Sequence, residues 1–140
     1  MSIKAPFYRE YADSLGEVIS TCTDFAFVST LERKIAANNP EALETFACAY
    51  KSNQARLKSD CQGFHHDAKK ALAKFKTICQ KYDIASISDD EAFLSSVAVA
   101  KDFEDKITFL SKVKNTCINE QRIIPPTEFE YLFKVEQGTA

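Results

Sequence analysis

The sequence predicts an all-α protein, an elongated three- to four-helix bundle built on a long antiparallel helical hairpin, with a short C-terminal helix or extended tail. Three observations carry that expectation. A heptad register runs from Leu43 to Tyr82 through Ala47, Tyr50, Gln54, Leu57, Cys61, Phe64, Ala68, Ala71, Phe75 and Ile78, and only Gln54 is polar. Two further apolar stripes at helical spacing flank it, Phe7 to Phe25 and Phe93 to Cys117. Finally, Gly 3 and Pro 4 in 140 residues leave little material for the turns that sandwiches and barrels consume.

The first helix is expected to begin near Pro6, whose fixed φ suits a first helical turn. Phe7, Tyr11, Leu15, Val18, Cys22 and Phe25 recur at spacings of four and three, one stripe on one face. Gly16 sits off that stripe and costs about 1 kcal/mol relative to alanine. Beyond Phe25 the apolar residues Phe27, Val28, Leu31 and Ile35 drift to another face. The helix therefore either continues to Ala37 with a wider buried surface or kinks near Ser29-Thr30.

Asn38-Asn39-Pro40-Glu41 marks the next boundary, with Asn39 as cap, Pro40 at the first helical position and Glu41 and Glu44 near the positive end of the dipole. The second helix starts there and carries the heptads; continuous to Lys81, it would be roughly 60 Å long. Ser52, Asn53, Ser59 and Gly63 weaken it together. A break between Ser52 and Gly63 would leave helices from Pro40 to Lys51 and from Ala55 to Lys81. Continuity is the expectation, because re-entry in the same register would be a coincidence.

Ser88-Asp89-Asp90-Glu91 has the form of a capping box, with Ser88 bonding forward to the amide of Glu91. A third long helix follows through Phe93, Val97, Ala100, Phe103, Ile107, Leu110, Val113 and Cys117, losing strict heptad spacing near Phe103. The short loop before it predicts an antiparallel hairpin with the second helix. Pro125-Pro126 ends the helical pattern, dividing a bundle domain (1–124) from a C-terminal segment (125–140) packed on the bundle or used for docking. In that segment Phe129, Tyr131, Phe133 and Val135 alternate as in a strand, whereas Phe129, Leu132 and Phe133 share a helical face with Thr127 as cap. A helix is favoured, since a lone strand would have no ladder partner, unless another molecule supplies one.

No stretch approaches the roughly 20 apolar residues that span a bilayer, and Met1 to Tyr11 lacks the basic-then-apolar layout of a secretory signal. Five widely spaced cysteines, Cys22, Cys48, Cys61, Cys79 and Cys117, form no CxxC pair and read as reduced, core-filling thiols of a cytoplasmic protein.

Chemistry-bearing patterns are sparse. Cys61 and His65 lie four apart, as do Gln62 and His66, but two ligands do not complete a metal site and no second half exists. The acidic groups Asp89-Asp90-Glu91 and Asp102-Glu104-Asp105 are explained by helix capping and by an outward face. Three glycines almost exclude a backbone phosphate cradle, and no HExxH or GxSxG spacing is present. No catalytic, cofactor or metal residues are assigned.

Charge is the remaining signal. Lys51 to Lys81 holds eight basic residues against Asp60 and Asp67, whereas Ile84 to Leu110 holds six acids against Lys101 and Lys106. Opposite signs on adjacent helices attract and fix orientation. Alternatively, Lys69, Lys70, Lys74 and Lys76 form a basic face for an acidic partner. The functional expectation is a noncatalytic protein-protein interaction module, an adaptor, inhibitor, chaperone or assembly subunit. Its contacts are Lys69, Lys70, Lys74, Lys76, Phe129, Tyr131 and Phe133, its partner another protein or a second copy of the chain. An electrostatic binder of nucleic acid or anionic membrane is the alternative, disfavoured by the net charge of -2 and by aromatics spent on the seam. A small helical enzyme or metal protein centred on Cys61, His65 and His66 is the second alternative.

Overall fold

A computed structural model describes residues 7–138, and among them there is no β-strand. Six α-helices follow one another: α1 (Tyr8–Ala36), α2 (Pro40–Tyr50), α3 (Gln54–Lys81), α4 (Asp90–Val97), α5 (Phe103–Glu120) and α6 (Phe129–Glu136), the last preceded by a 3-10 turn at Pro126–Glu128. The expected start at Pro6 lies outside the described residues.

The first helix runs unbroken through Ser29-Thr30, and its drifting stripe has a structural cause. Tyr11, Leu15, Val18, Cys22 and Phe25 enter a large core shared with Leu72, Phe75, Cys79, Leu110, Val113 and Cys117. Val28 and Leu31 turn instead into a second core with Ala42, Phe46, Tyr50 and Leu57, and Cys61 and Phe64 pack against both. One helix thus serves two sets of neighbours. Burying each large apolar side chain stabilises the fold by about 1.5–3 kcal/mol before ordering costs.

Continuity of the central helix does not hold. Lys51 (φ 52°) and Ser52 (φ 56°) both adopt left-handed backbone, and the chain restarts at Gln54. Each end is capped: the Ser52 N–H donates to the Phe46 carbonyl at 3.2 Å, and the Asn53 side chain accepts from the Arg56 N–H at 3.1 Å. The break also changes register. Before it, Ala42 and Phe46 are buried with the heptad position Tyr50, while the heptad positions Leu43 and Ala47 are exposed; after it, Leu57, Ala68, Ala71, Phe75 and Ile78 are buried as the heptads require, with Cys61 and Phe64 half-buried. The same-register coincidence that argued against a break is absent, because α2 uses a different face.

The hairpin between the central helix and its successor is not formed either. Residues expected to make one third helix divide into α4 and α5, joined by a non-helical stretch from Ala98 to Asp102. α3 touches α4, but α3 and α5 bring no Cα pair within 8 Å among the described residues. The partner of α3 is α1, and the pair is antiparallel. Phe7 stacks on Tyr82 with ring centroids 3.7 Å apart, Tyr11 meets Phe75 at 5.0 Å, Lys74 pairs with Glu17 at 3.2 Å, and Phe25 meets the His65 ring at 4.9 Å. α1 packs on α5 as well, so it is the shared axis of the fold.

Side-chain caps fix the starts of α2 and α4. Asn39 accepts from the Ala42 N–H at 3.0 Å, as its sequence context predicts. At α4 the cap is Asp89, accepting from Ala92 N–H at 3.1 Å, so the expected Ser88–Glu91 capping box is replaced by a one-way cap, since Ala92 has no polar side chain to reach back. The tail is a helix, α6, without a Thr127 side-chain cap. Gln121 (φ 54°) ends α5 in left-handed backbone, and Ile123 and Ile124 are then buried in the large core. This return brings α6 back against α5.

Candidate interaction surfaces

The four lysines do not share one free face, because α3 sits between two acidic neighbours. Lys69 and Lys76 point to the first turn of α4, where Lys69 Nζ lies 3.0 Å from Glu91 and Lys76 Nζ 2.6 Å from Asp90. Lys74 turns the other way, to Glu17 of α1. Lys70 is exposed and has no ion-pair partner among the described residues. These pairs realise the attraction expected of opposite-sign helices, with α4 and α1 as the acidic partners. Lys76 and Asp90 are the best shielded, at 26% and 29% exposure, whereas the other two pairs are solvated and contribute little each.

His65 joins the same cluster, its Nε2 3.4 Å from Glu91 Oε2. The hydrogen bond from Lys69 holds the Glu91 carboxyl below its ordinary value, with a smaller contribution in the same direction from His65. Burial pushes the neighbouring Cys61 thiol up, away from the thiolate that a nucleophile or metal ligand needs. Among the described residues no group of three or more His, Cys, Asp or Glu side chains is gathered as a metal cradle.

In the C-terminal segment the three aromatics have separate fates. Phe129 is buried in the large core, Phe133 meets Phe109 edge-on at 5.6 Å, and Tyr131 stays 65% exposed beside Val135 at 48%. Helical spacing accounts for this, since Tyr131 and Val135 are one turn apart on the outer side of α6.

Phe129 and Phe133 also line a cleft of about 610 Å³ between the loop before α4, α4 itself, α5 and α6. Its floor is Phe93, Val97, Phe109 and Leu110; its rim carries Asp89, Asp102, Lys106, Glu130 and Lys134. The rim lysines lie near rim carboxylates, Lys106 at 3.9 Å from Asp102 and Lys134 at 3.3 Å from Glu130, and Lys106 Nζ sits 5.7 Å from the Phe133 ring centroid. An apolar floor of several aromatic rings inside a polar rim is the general form of a recognition site. A second depression, at the C-terminus of α1 and the α4–α5 joint, is lined by Arg33, Lys34, Lys101, Glu104 and Asp105 and offers only Phe103 as an aromatic.

Most of the cleft residues escape a reading of the sequence because three long-range events assemble them. The Ala98–Asp102 break separates α4 from α5, the left-handed Gln121 ends α5, and Pro125-Pro126 leads through the 3-10 turn into α6. Two of the three leave a local signal, a lost heptad near Phe103 and paired prolines, but neither says what the chain returns to. Comparison with protein-family models, with curated proteins and with solved structures finds no match to this chain.

Proposed function

We propose that this chain is a noncatalytic protein-interaction module whose docking site is the cleft between α4, α5 and α6. The observation that carries the proposal is the ring of partly open aromatic side chains, Phe93 and Phe133 above Phe109, exposed to solvent within a charged rim. Apolar surface left open in a concave position is costly, and covering it recovers that cost. In this reading α1, α3 and α5 form an elongated bundle that holds the cleft rigid, and the C-terminal segment is part of the site. Five free cysteines support work in a reducing compartment, the cytoplasm.

The ion pairs of Lys69, Lys74 and Lys76 weigh against the alternative of an electrostatic binder of nucleic acid or membrane, since those charges already have partners. Ala92 lines the cleft from an exposed position, so Ala92→Trp fills it without touching the core. Affinity capture from the source cell with the wild type and with Ala92→Trp, compared by quantitative mass spectrometry, tests the reading. Loss of specific proteins from the variant is expected; identical protein sets would remove the cleft as the docking site. Light scattering over a concentration series distinguishes a second copy of the chain as the partner.

A further inference from the structure

Resting on that docking reading, we infer that α6 is a latch: docked on α5 it completes the cleft, and it opens as a unit, dismantling the cleft, while the rest of the fold stays closed. Its placement carries the inference. Among the described residues the Cα atoms of α6 come within 8 Å of α5 and of its own 3-10 turn, and of no other helix. Its one buried residue is Phe129; Leu132 and Phe133 are half-buried and the other five are exposed. A helix of eight residues is unstable without a surface to dock on, so undocking and unwinding are one event. Few buried side chains mark a segment that opens locally, at a cost well below that of global unfolding.

The opening has a defined limit. Ile123 and Ile124 are buried, and the Ile124 carbonyl is held by the Tyr11 hydroxyl at 2.6 Å, so the pivot lies between Ile124 and Phe129. Past the pivot, Phe133 meets Phe109 edge-on, Lys106 Nζ lies 5.7 Å from the Phe133 ring centroid, and Lys112 Nζ pairs with Glu136 at 2.5 Å. That pair is solvated and contributes little. Phe129, Glu130 and Phe133 line the cleft, so their departure removes one wall and bares Phe109. A partner that fills the cleft binds the docked form alone and thereby holds the latch shut.

Hydrogen exchange of the full chain, read by mass spectrometry on separate α5 and α6 peptides, tests the latch without a partner. α6 is expected to exchange at least about 10-fold faster than the middle of α5, with little dependence on urea below the unfolding midpoint, since a small opening exposes little surface. Val18→Ala weakens the large core in both forms; it should speed α5 about 10-fold and leave α6 unchanged. Lys112→Gln should speed α6 about 2- to 5-fold. Equal acceleration of α5 and α6 by Val18→Ala overturns the latch and leaves the cleft a permanent site. So does α6 exchange that rises with urea as steeply as α5, a reading on the wild type that decides the matter if Val18→Ala does not fold. Val135→Pro then breaks α6 at an exposed position. Proteins lost from Ala92→Trp are expected to be lost from Val135→Pro as well. Their retention would show that docking does not need α6 and overturns the inference, whereas a protein set unchanged by Ala92→Trp removes the docking site, and with it the role of the latch.

Discussion

The hydroxyl of Tyr11 donates a 2.6 Å hydrogen bond to the carbonyl oxygen of Ile124, 113 positions away in the chain and fully inside the core. This contact ties α1 to the segment that returns the chain from α5 to α6. Tyr11→Phe keeps the ring against Phe75 but leaves a buried carbonyl without its donor. A loss of about 1–3 kcal/mol in urea denaturation is expected. Burial, with smaller contributions from nearby Cys79 and Cys117, pushes the Tyr11 phenol well above its ordinary 10.0. A group with a raised folded pKa loses its stabilisation as pH rises past the unfolded value, so wild type should destabilise above pH 10 more steeply than Tyr11→Phe.

Two glycines inside long helices separate intrinsic propensity from packing. A Cβ on Gly63 would meet nothing within 4 Å, so Gly63→Ala should stabilise by the full helical difference, about 1 kcal/mol. At Gly16 the Cβ would lie 3.0 Å from Nζ and 3.2 Å from Cε of Lys114, the mobile end of a long side chain. Gly16→Ala should therefore also stabilise, by less than Gly63→Ala. Thermal melts of both variants check the order; a Gly16→Ala protein less stable than wild type would show that Lys114 is locked in place.

Local pattern made the helical class and most cores readable, because Leu57, Ala68, Phe75, Leu110, Val113 and Cys117 obey helical spacing wherever a helix is long. Leu43 shows the limit. It fits the heptad but stands 41% exposed, since the pattern does not reveal that the Lys51-Ser52 turn, made by two non-glycine residues in left-handed backbone, resets the register. Pairing was unreadable for a related reason: stripes on α3 and α5 look complementary to each other and are both complementary to α1. The aromatics of the tail read as contacts, yet the residues that share a cleft with them, Phe93, Val97 and Phe109, depend on how far the chain folds back after Gln121.

The contact between α3 and α4 should have a pH signature. Glu91, held down chiefly by Lys69, contributes stability that is present above its ordinary value of 4.5 and is lost as pH falls through its lower folded value. Glu91→Gln should be less stable than wild type near neutrality, and the gap should close in acid below pH 4.5. Urea midpoints of both proteins across that range test it; a gap independent of pH would mean that the carboxylate charge contributes nothing.

Thiol reactivity should report the two-core arrangement directly. Cys22, Cys79 and Cys117 are buried in the large core, whereas Cys48 faces solvent on α2. Burial pushes the Cys22 thiol up to about 12 and raises Cys79 and Cys117 as well, so at pH 8 these three are both screened and protonated. Brief alkylation of the native protein at pH 8 should modify Cys48 first and Cys61, half-buried, more slowly, with the other three modified only when the protein opens. Adding urea below the unfolding midpoint discriminates further. If the small core around Val28, Phe46 and Leu57 opens independently, Cys61 becomes reactive before Cys22, because Cys61 packs at the junction of the two clusters; simultaneous exposure of both would show that the cores unfold as one unit.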